Sequence, residues 1–371
     1  MKIKPFELER YFAQHEFAAK YLLSSSDCDP LKLSEILEMA DTESLALWDK
    51  LKLAYTESTG HPILKQEISK LHSSIAPDEI NVMIPEEGIF IAMNCILEKG
   101  NHVITTFPGY QSLYEIANSL GCEVSKWKPE FNKGWKFNLN NLKSLIRKDT
   151  KLLVINFPHN PTGATISAKE LNEIVELCRK QNIILFSDEM YRFLEYRETD
   201  QLPSASDIYE NAISLFGMSK SFALPGLRIG WLSSKNKEMM QKISEFKDYT
   251  TICNNAPGEI LSIIALRNKT KIVERNLKII SKNLSILDTF FNKYNHLFEW
   301  HRPVASSISL VKLKGETPIN KFCSKLVEQQ KVMLLPATVY RFEGNYFRIG
   351  FARKNLKEGL NKLEKFILNA I

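Results

Sequence analysis

Lys220 stands in the run Ser219-Lys220-Ser221-Phe222-Ala223-Leu224-Pro225-Gly226-Leu227-Arg228-Ile229-Gly230-Trp231, among small and apolar residues and shortly before an arginine. Condensing an amine with an aldehyde requires a neutral amine, and the same amine can afterwards carry a proton. A lysine held partly desolvated beside a second cation, here Arg228, has its pKa lowered, which permits both tasks near neutral pH. Arg348 lies in Asn345-Tyr346-Phe347-Arg348-Ile349-Gly350-Phe351, a strand-like run where an unpaired charge is costly and a bound anion would offset the cost. Asp188 and Tyr191 follow an apolar run in Phe186-Ser187-Asp188-Glu189-Met190-Tyr191. Asp188 can serve a ligand there or simply cap the next helix. Asn160 sits in Phe157-Pro158-His159-Asn160-Pro161-Thr162-Gly163, which is also an ordinary turn by composition, with His159 expected to be partly exposed and not catalytic. Pro108-Gly109-Tyr110 puts a flat, rigid ring after another apolar run, where it can stack on a ligand or pack in the core.

Most of these residues sit just beyond short β-branched runs, at 80–84, 102–106, 123–127, 151–156, 183–187, 212–216 and 228–233, with helical patterns such as 167–181 between several of them. That alternation predicts an α/β fold with a mostly parallel sheet wrapped by helices. In such sheets ligands bind at the carboxyl ends of strands. Residues 5–23 carry aromatic residues at helical spacing and read as a docking helix that breaks at Ser24-Ser25-Ser26-Asp27. A long helical stretch over 259–294 leads to strand-like runs at 306–314 and 346–351 and a final amphipathic helix. The expected division is a large domain over 45–264 and a smaller α+β domain built from 1–44 and 265–371.

Together the segments around Tyr110, Asn160, Asp188, Lys220 and Arg348 resemble the class I/II aminotransferase family of fold-type I pyridoxal 5′-phosphate enzymes, from about Tyr55 to Arg348. The resemblance implies a cofactor held as an imine on Lys220. It implies that Asp188 keeps the pyridine nitrogen protonated, so that the ring accepts electrons. Tyr191 and Asn160 would hydrogen-bond the ring's phenolic oxygen, and Tyr110 would lie against its face. Arg228, whose guanidinium fork suits a dianion, would hold the phosphate with Ser219. The family's hydroxyl residue three positions before the lysine is replaced here by Gly217. The matching phosphate cup is Ile84-Pro85-Glu86-Glu87-Gly88, where Pro85 lacks an amide proton and Glu86 adds a carboxylate, leaving the amides of Glu86 and Glu87 at a helix start. Tyr55 resembles the tyrosine sent across a subunit interface to the neighbouring cofactor, which implies a homodimer; a core tyrosine is the alternative. Arg348 is similar to the arginine that clamps the substrate α-carboxylate, with Asn160 beside it.

Composition narrows the remaining classes. The chain has 371 residues, 44% hydrophobic and 25% charged, which suits a folded globular protein. Its net charge of +6 is spread and not gathered in a stripe, arguing against a nucleic-acid surface. Neither a membrane-spanning apolar run nor a signal-peptide pattern is present, so the expected location is the cytoplasm. The six cysteines are scattered and the seven histidines form no HExxH pattern, so no metal site is expected. Neither GxGxxG nor GxxxxGK[ST] occurs. The expected activity is transamination of an α-amino acid to a 2-oxo acid. The alternatives keep the cofactor but change the outcome: elimination, cyclisation of the capreomycidine-synthase type, or oxidation. A ligand-sensing regulator would need a DNA-binding module, for which the segment before Tyr55 is too short. Asp27, Asp29 and Glu86 fall near the expected mouth and no second arginine occupies a motif position, so a basic or polar side chain is favoured over a dicarboxylate; loop acids that are merely solvated are the alternative.

Overall fold

A computed structural model describes residues 2–370. After a short strand β1 (Tyr21–Leu22), the chain builds a seven-stranded sheet from β2 (Ile80–Met83), β3 (His102–Thr106), β4 (Glu123–Trp127), β5 (Thr150–Asn156), β6 (Ile184–Asp188), β7 (Ala212–Gly217) and β8 (Gly230–Ser233). Their order is β2-β8-β7-β6-β5-β3-β4, and the stretch from β7 to β4 is parallel while β8 runs antiparallel to both neighbours. Helices cover both faces, which is why β3 and β7 are buried at every position and read as continuous apolar runs. The edge strand β4 instead exposes Glu123 and Lys126, charges that discourage further pairing.

Helix Ala168–Gln181 shows how local sequence sets these layers. Ser167 caps it by accepting from the Glu170 amide at 3.2 Å, and Glu170 accepts from the Ser167 amide at 2.8 Å. Leu171, Ile174, Val175 and Cys178 then form one buried stripe, and left-handed Asn182 ends the helix.

The smaller domain carries β9 (Phe298–Trp300), β10 (Ile308–Leu313), β11 (Val332–Met333), β12 (Leu335–Pro336) and β13 (Tyr346–Gly350). Four of these form an antiparallel sheet in the order β12-β13-β10-β9, while β11 pairs with β1 in parallel. The seven strands at 80–233 and the C-terminal β10 and β13 occur where the periodicity predicts them, with ends moved by a residue or two, while the short β9, β11 and β12 carry no such signal.

Several expectations change in the fold. The aromatic segment 5–23 is helical only over Glu7–His15, because Tyr21–Leu22 is drawn into pairing with Val332–Met333. The stretch 259–294 is two helices, Ala256–Arg267 and Lys269–Lys293, broken at Asn268, whose Nδ2 donates to the Ile264 and Met39 carbonyls at 2.9 Å each. The strand expected from Arg228 starts at Gly230, since Arg228 is left-handed with φ 54°. His159 is not partly exposed but fully buried; its Nδ1 meets Thr162 Oγ1 at 2.8 Å, and desolvation lowers its pKa to about 3.

The segment after β1 lies directly on β13. Gly350 donates its amide to the Leu23 carbonyl at 2.7 Å, and a Cβ at Gly350 would stand 1.8 Å from the Ser25 carbonyl oxygen. Gly350→Ala is therefore expected to lift the 23–27 segment and to lower stability by about 1–3 kcal/mol. A denaturant midpoint equal to the wild type's would show that the segment does not pack as described.

Candidate active site

Parallel strands end on one edge, and from that edge the chain leaves β3 toward Tyr110, β5 toward Asn160, β6 at Asp188 and β7 toward Lys220. These side chains face a cavity of about 520 Å³, walled on the other side by the helix Glu7–His15, residues 25–27 and Arg348 of β13. Lys220 points into it and donates from Nζ to Ser26 Oγ at 2.8 Å. Desolvation lowers the lysine pKa, Arg348 and Arg228 add to the lowering, and Asp27 and Glu9 oppose it. The expected second cation is thus present, but burial is the larger cause.

Asp188 is 5% exposed and closes β6. Burial pushes its carboxyl up to about 7, against the pull of the Met190 amide at 3.1 Å and of the Lys220 cation. Its backbone is tied to the next strand by Asn156, whose Nδ2 donates to the Asp188 carbonyl at 2.9 Å and whose Oδ1 accepts from the Asn160 amide at 2.7 Å. Asn156 thereby positions two cavity residues at once. Asn160 Oδ1 accepts from Tyr340 at 3.2 Å and Arg348 at 3.4 Å, while its Nδ2 makes no hydrogen bond among the described residues. Tyr191, 2% exposed, has a hydroxyl with no partner among the described residues. Tyr110 lines the cavity too, its ring 4.9 Å from that of Phe6 and its hydroxyl donating to Glu9 at 3.3 Å.

At the other end, Ser219, Glu86, Arg228 and Pro85 line the cavity. A Cβ on Gly217 would meet Gly230 Cα at 2.9 Å and Pro85 Cγ at 3.2 Å; one on Gly230 would meet Pro85 Cγ at 2.6 Å. At Gly217 the β8 backbone, with the Pro85 ring behind it, takes the space a side chain would need; at Gly230 the Pro85 ring and the Phe216 carbonyl do. Gly217 and Pro85, two departures from the family pattern, pack against each other. Glu86 accepts from Ser112 Oγ at 3.1 Å, and desolvation, helped by Glu9 and Asp188, pushes its carboxyl up to about 7. A proton there removes much of the repulsion toward a dianion. The Glu87 side chain turns away to accept from the Thr251 hydroxyl at 2.7 Å, so only its amide belongs to this end. Arg228 donates to the Pro225 carbonyl at 3.2 Å and pairs with no carboxylate among the described residues.

Arg348 is 2% exposed and also lacks a carboxylate partner among the described residues. It donates to the Tyr340 hydroxyl and to the Ser24 carbonyl, both at 2.6 Å, and its Nε has no acceptor. Arg353, expected to be solvated, instead donates from Nη2 to both Asp27 carboxylate oxygens at 2.9 and 2.8 Å, because the 23–27 segment folds onto β13. Asp27 lines the cavity but is engaged, and Asp29 lies outside its lining, paired with Arg275 and Lys354 at 3.3 and 3.4 Å. Tyr55 is 88% exposed and does not line this cavity. Ser26, Tyr340, Glu9, Phe12 and Glu16 escaped the sequence reading, since their partners are up to 194 positions away. Asn156 carried a local signal, an amide ending an apolar strand.

These residues fit pyridoxal phosphate. The orphaned Tyr191 hydroxyl and the spare Asn160 amide suit a phenolic oxygen. Asp188 suits a pyridine nitrogen, and Arg228 with the first-turn amides of helix Pro85–Ile96 suits a phosphate. The buried carboxyls also set a pH dependence. Asp188, Glu86 and Glu195 are all raised to about 7 by burial, so the folded chain keeps protons that the unfolded chain releases. Stability of the cofactor-free protein is expected to fall as pH rises from about 4 to about 7, and Asp188→Asn should flatten that fall. Asp207, held far below the usual carboxylate range chiefly by His72, has its contribution complete near the lower edge of this window, and His159, whose lowered pKa adds stability as pH rises through it, offsets one of the three raised carboxyls without reversing the sign. Urea titrations across the window that show stability rising with pH would contradict the burial of these groups.

The family of aminotransferases class I and II matches residues 19–363. The chain is similar to the aspartate aminotransferase of Thermotoga maritima, 27% identical over 88% of this chain and 86% of that one. It is similar to capreomycidine synthase of Streptomyces vinaceus, 22% identical over 95% and 91%. A solved pyridoxal-phosphate-dependent aminotransferase of Streptococcus suis superposes with a TM-score of 0.93 at 32% identity, covering 100% of this chain and 99% of that one. With a lysine, a carboxylate and an uncompensated arginine converging on one cavity of a fold-type I scaffold, this chain belongs to the class I and II aminotransferase family and is a pyridoxal-phosphate-dependent aminotransferase that converts an α-amino acid to a 2-oxo acid.

Proposed function

We propose that the cavity carries out amino-group transfer with Lys220 as the catalytic amine and Arg348 as the anchor of the substrate α-carboxylate. One observation carries this reading: a desolvated lysine and a buried arginine without a carboxylate partner among the described residues face the same cavity. When bound, pyridoxal phosphate supplies an aldehyde that condenses with amines and a ring that accepts the electron pair of a broken Cα bond. Lys220 Nζ would take the proton from the substrate Cα and hold it for return, and Ser26 Oγ holds the amine whenever it is free. Asp188 keeps a proton at the ring nitrogen, while Tyr191 and the Asn160 amide hold the phenolic oxygen. Tyr110 packs against the ring. Ser219, Arg228 and the amides of Glu86 and Glu87 hold the phosphate. The Arg348 guanidinium, freed of any competing carboxylate, receives the α-carboxylate bidentately.

We further propose that the large unit spans 45–264, that 1–44 and 265–371 form the smaller one, and that the protein works in the cytoplasm as a homodimer. Tyr55 supports the dimer: it is 88% exposed with Leu53 at 87%, Tyr249 at 91% and Ile252 at 52%, and Thr56 reaches the Asn254 carbonyl at 3.5 Å, which brings the two segments together. In the dimer Tyr55 would hold the phosphate of the neighbouring site. A second reading, cyclisation at the same cofactor, draws on the likeness to capreomycidine synthase over 95% of the chain; it predicts a cyclic amino acid and no 2-oxo acid.

Borohydride treatment of the yellow holoenzyme should fix the cofactor to the peptide containing Lys220, and Lys220→Ala should abolish turnover. Label on another lysine would refute the assignment. Sedimentation should show a dimer, and mixing Tyr55→Phe with Lys220→Ala chains should restore activity through hybrid sites that pair the intact Tyr55 with the intact Lys220. A fully active monomer would rule the shared site out.

A further inference from the structure

Beyond the cofactor and the α-carboxylate anchor, the cavity wall keeps two carboxylates that form no ion pair among the described residues. Among its basic residues, Lys220, Arg228 and Arg348 have the roles proposed above, and the charge of Arg353 is paired with Asp27, whose two oxygens accept from Nη2 at 2.9 and 2.8 Å while Nε has no acceptor among the described residues. Glu9 and Glu16 remain. They lie on the cavity side of the helix Glu7–His15 and its cap, with Phe12 between them at helical spacing. Neither forms an ion pair among the described residues; Glu9 accepts from the Tyr110 hydroxyl at 3.3 Å. Their field is felt locally. The Glu16 carboxyl is raised first by burial, then by Asp27 and Glu9, with Arg353 opposing, and Glu9 and Asp27 both act on Lys220.

The helix is held as a wall, not left as a loose arm. Its Glu7 amide donates to Gln111 at 2.9 Å, Gln111 donates to the Pro5 carbonyl at 2.8 Å, Arg341 donates to Glu7 at 2.8 Å and Tyr11 donates to the Leu334 carbonyl at 3.0 Å. The same cavity contains the unpartnered Nε of Arg348 and hydroxyl of Tyr191, both on side chains 2% exposed, which mark it independently as a ligand site. The Arg348 guanidinium carbon lies 5.9 Å from the Phe12 ring centre, so the acidic face begins beside the carboxylate anchor.

We propose that Glu9, Phe12 and Glu16 determine specificity and select an α-amino acid whose aliphatic side chain ends in a cation, a primary ammonium or a guanidinium. The methylene stem packs along Phe12 and the distal cation meets the two carboxylates. A dicarboxylic donor meets the same carboxylates as like charges, and Arg353 is already taken by Asp27. This inference rests on the aminotransferase reading of the cavity.

The test titrates the cofactor absorbance of the holoenzyme with lysine, arginine, norleucine and aspartate, in wild type and in Glu9→Gln, Glu16→Gln and the double variant. Lysine and norleucine share a chain length and differ by the charge, and their ratio within one protein does not depend on how much of it is folded. Lysine or arginine is expected to half-saturate at a concentration at least about tenfold below that of norleucine, and added salt should weaken the preference. The ratio should fall toward one in the double variant. Norleucine or aspartate matching both cationic amino acids in wild type, or an unchanged ratio in the double variant, would overturn the assignment while leaving the aminotransferase reading intact. Failure of every amino acid to perturb the chromophore would instead remove that reading, and the specificity with it.

Discussion

The register at which the parallel strands end governs everything built above them. β5 and β6 finish opposite one another at Asn156 and Asp188, and the Asn156 amide then spans the gap, donating to one strand and accepting from the turn of the other. A one-residue slip would turn Asp188 to the opposite face, because side chains alternate along a strand. The same edge delivers Tyr110 and Lys220, so with Asn160 and Asp188 four chemically different side chains share one cavity. The antiparallel β8 then returns the chain from Arg228 alongside β2, bringing the guanidinium and the start of helix Pro85–Ile96 to one end of that cavity.

Two cations are kept in this cavity at a cost in stability. Lys220 is desolvated and its pKa falls, which is the state an amine nucleophile needs. Arg348 cannot shed its proton, so it is held by neutral acceptors, the Tyr340 hydroxyl and the Ser24 carbonyl, and one nitrogen is left without any. Neutral acceptors keep the side chain in place without saturating its charge. A carboxylate in the same position would compete with the substrate. Arg353, only a short way along the chain, shows the contrast: it has Asp27 and is closed.

The phosphate end shows how departures from a family pattern can be coupled. A proline at the helix start removes one amide and lays its ring on the paired glycines Gly217 and Gly230 of β7 and β8, where ring and strand backbone together leave no room for a side chain. The hydroxyl missing at Gly217 and the amide missing at Pro85 therefore meet in one contact. Glu86 would oppose an anion if ionised, yet burial raises its carboxyl to about 7, so that a proton on it is readily held near neutrality.

How much of this was legible in the sequence follows from the range of the forces involved. Strand positions, the helix over 168–181 with its Ser167 cap and the segments holding Asp188, Asn160, Lys220 and Arg348 are set by periodicity, turn chemistry and cap residues acting over a few positions, and they could be read directly. The sequence alone also determined that Arg348 sits on an apolar strand and so needs an anion. Tertiary structure decided the rest. It shortened the N-terminal helix by pairing Tyr21–Leu22 with Val332–Met333, buried His159, closed Arg353 with Asp27, and set Ser26 against Lys220 across 194 positions. None of these leaves a local pattern, because each depends on where two distant segments meet after the core has formed. The acidic face of Glu9 and Glu16 belongs to the same class: an ordinary amphipathic helix in sequence, it becomes a cavity wall only once Tyr11, Gln111 and Arg341 hold it there.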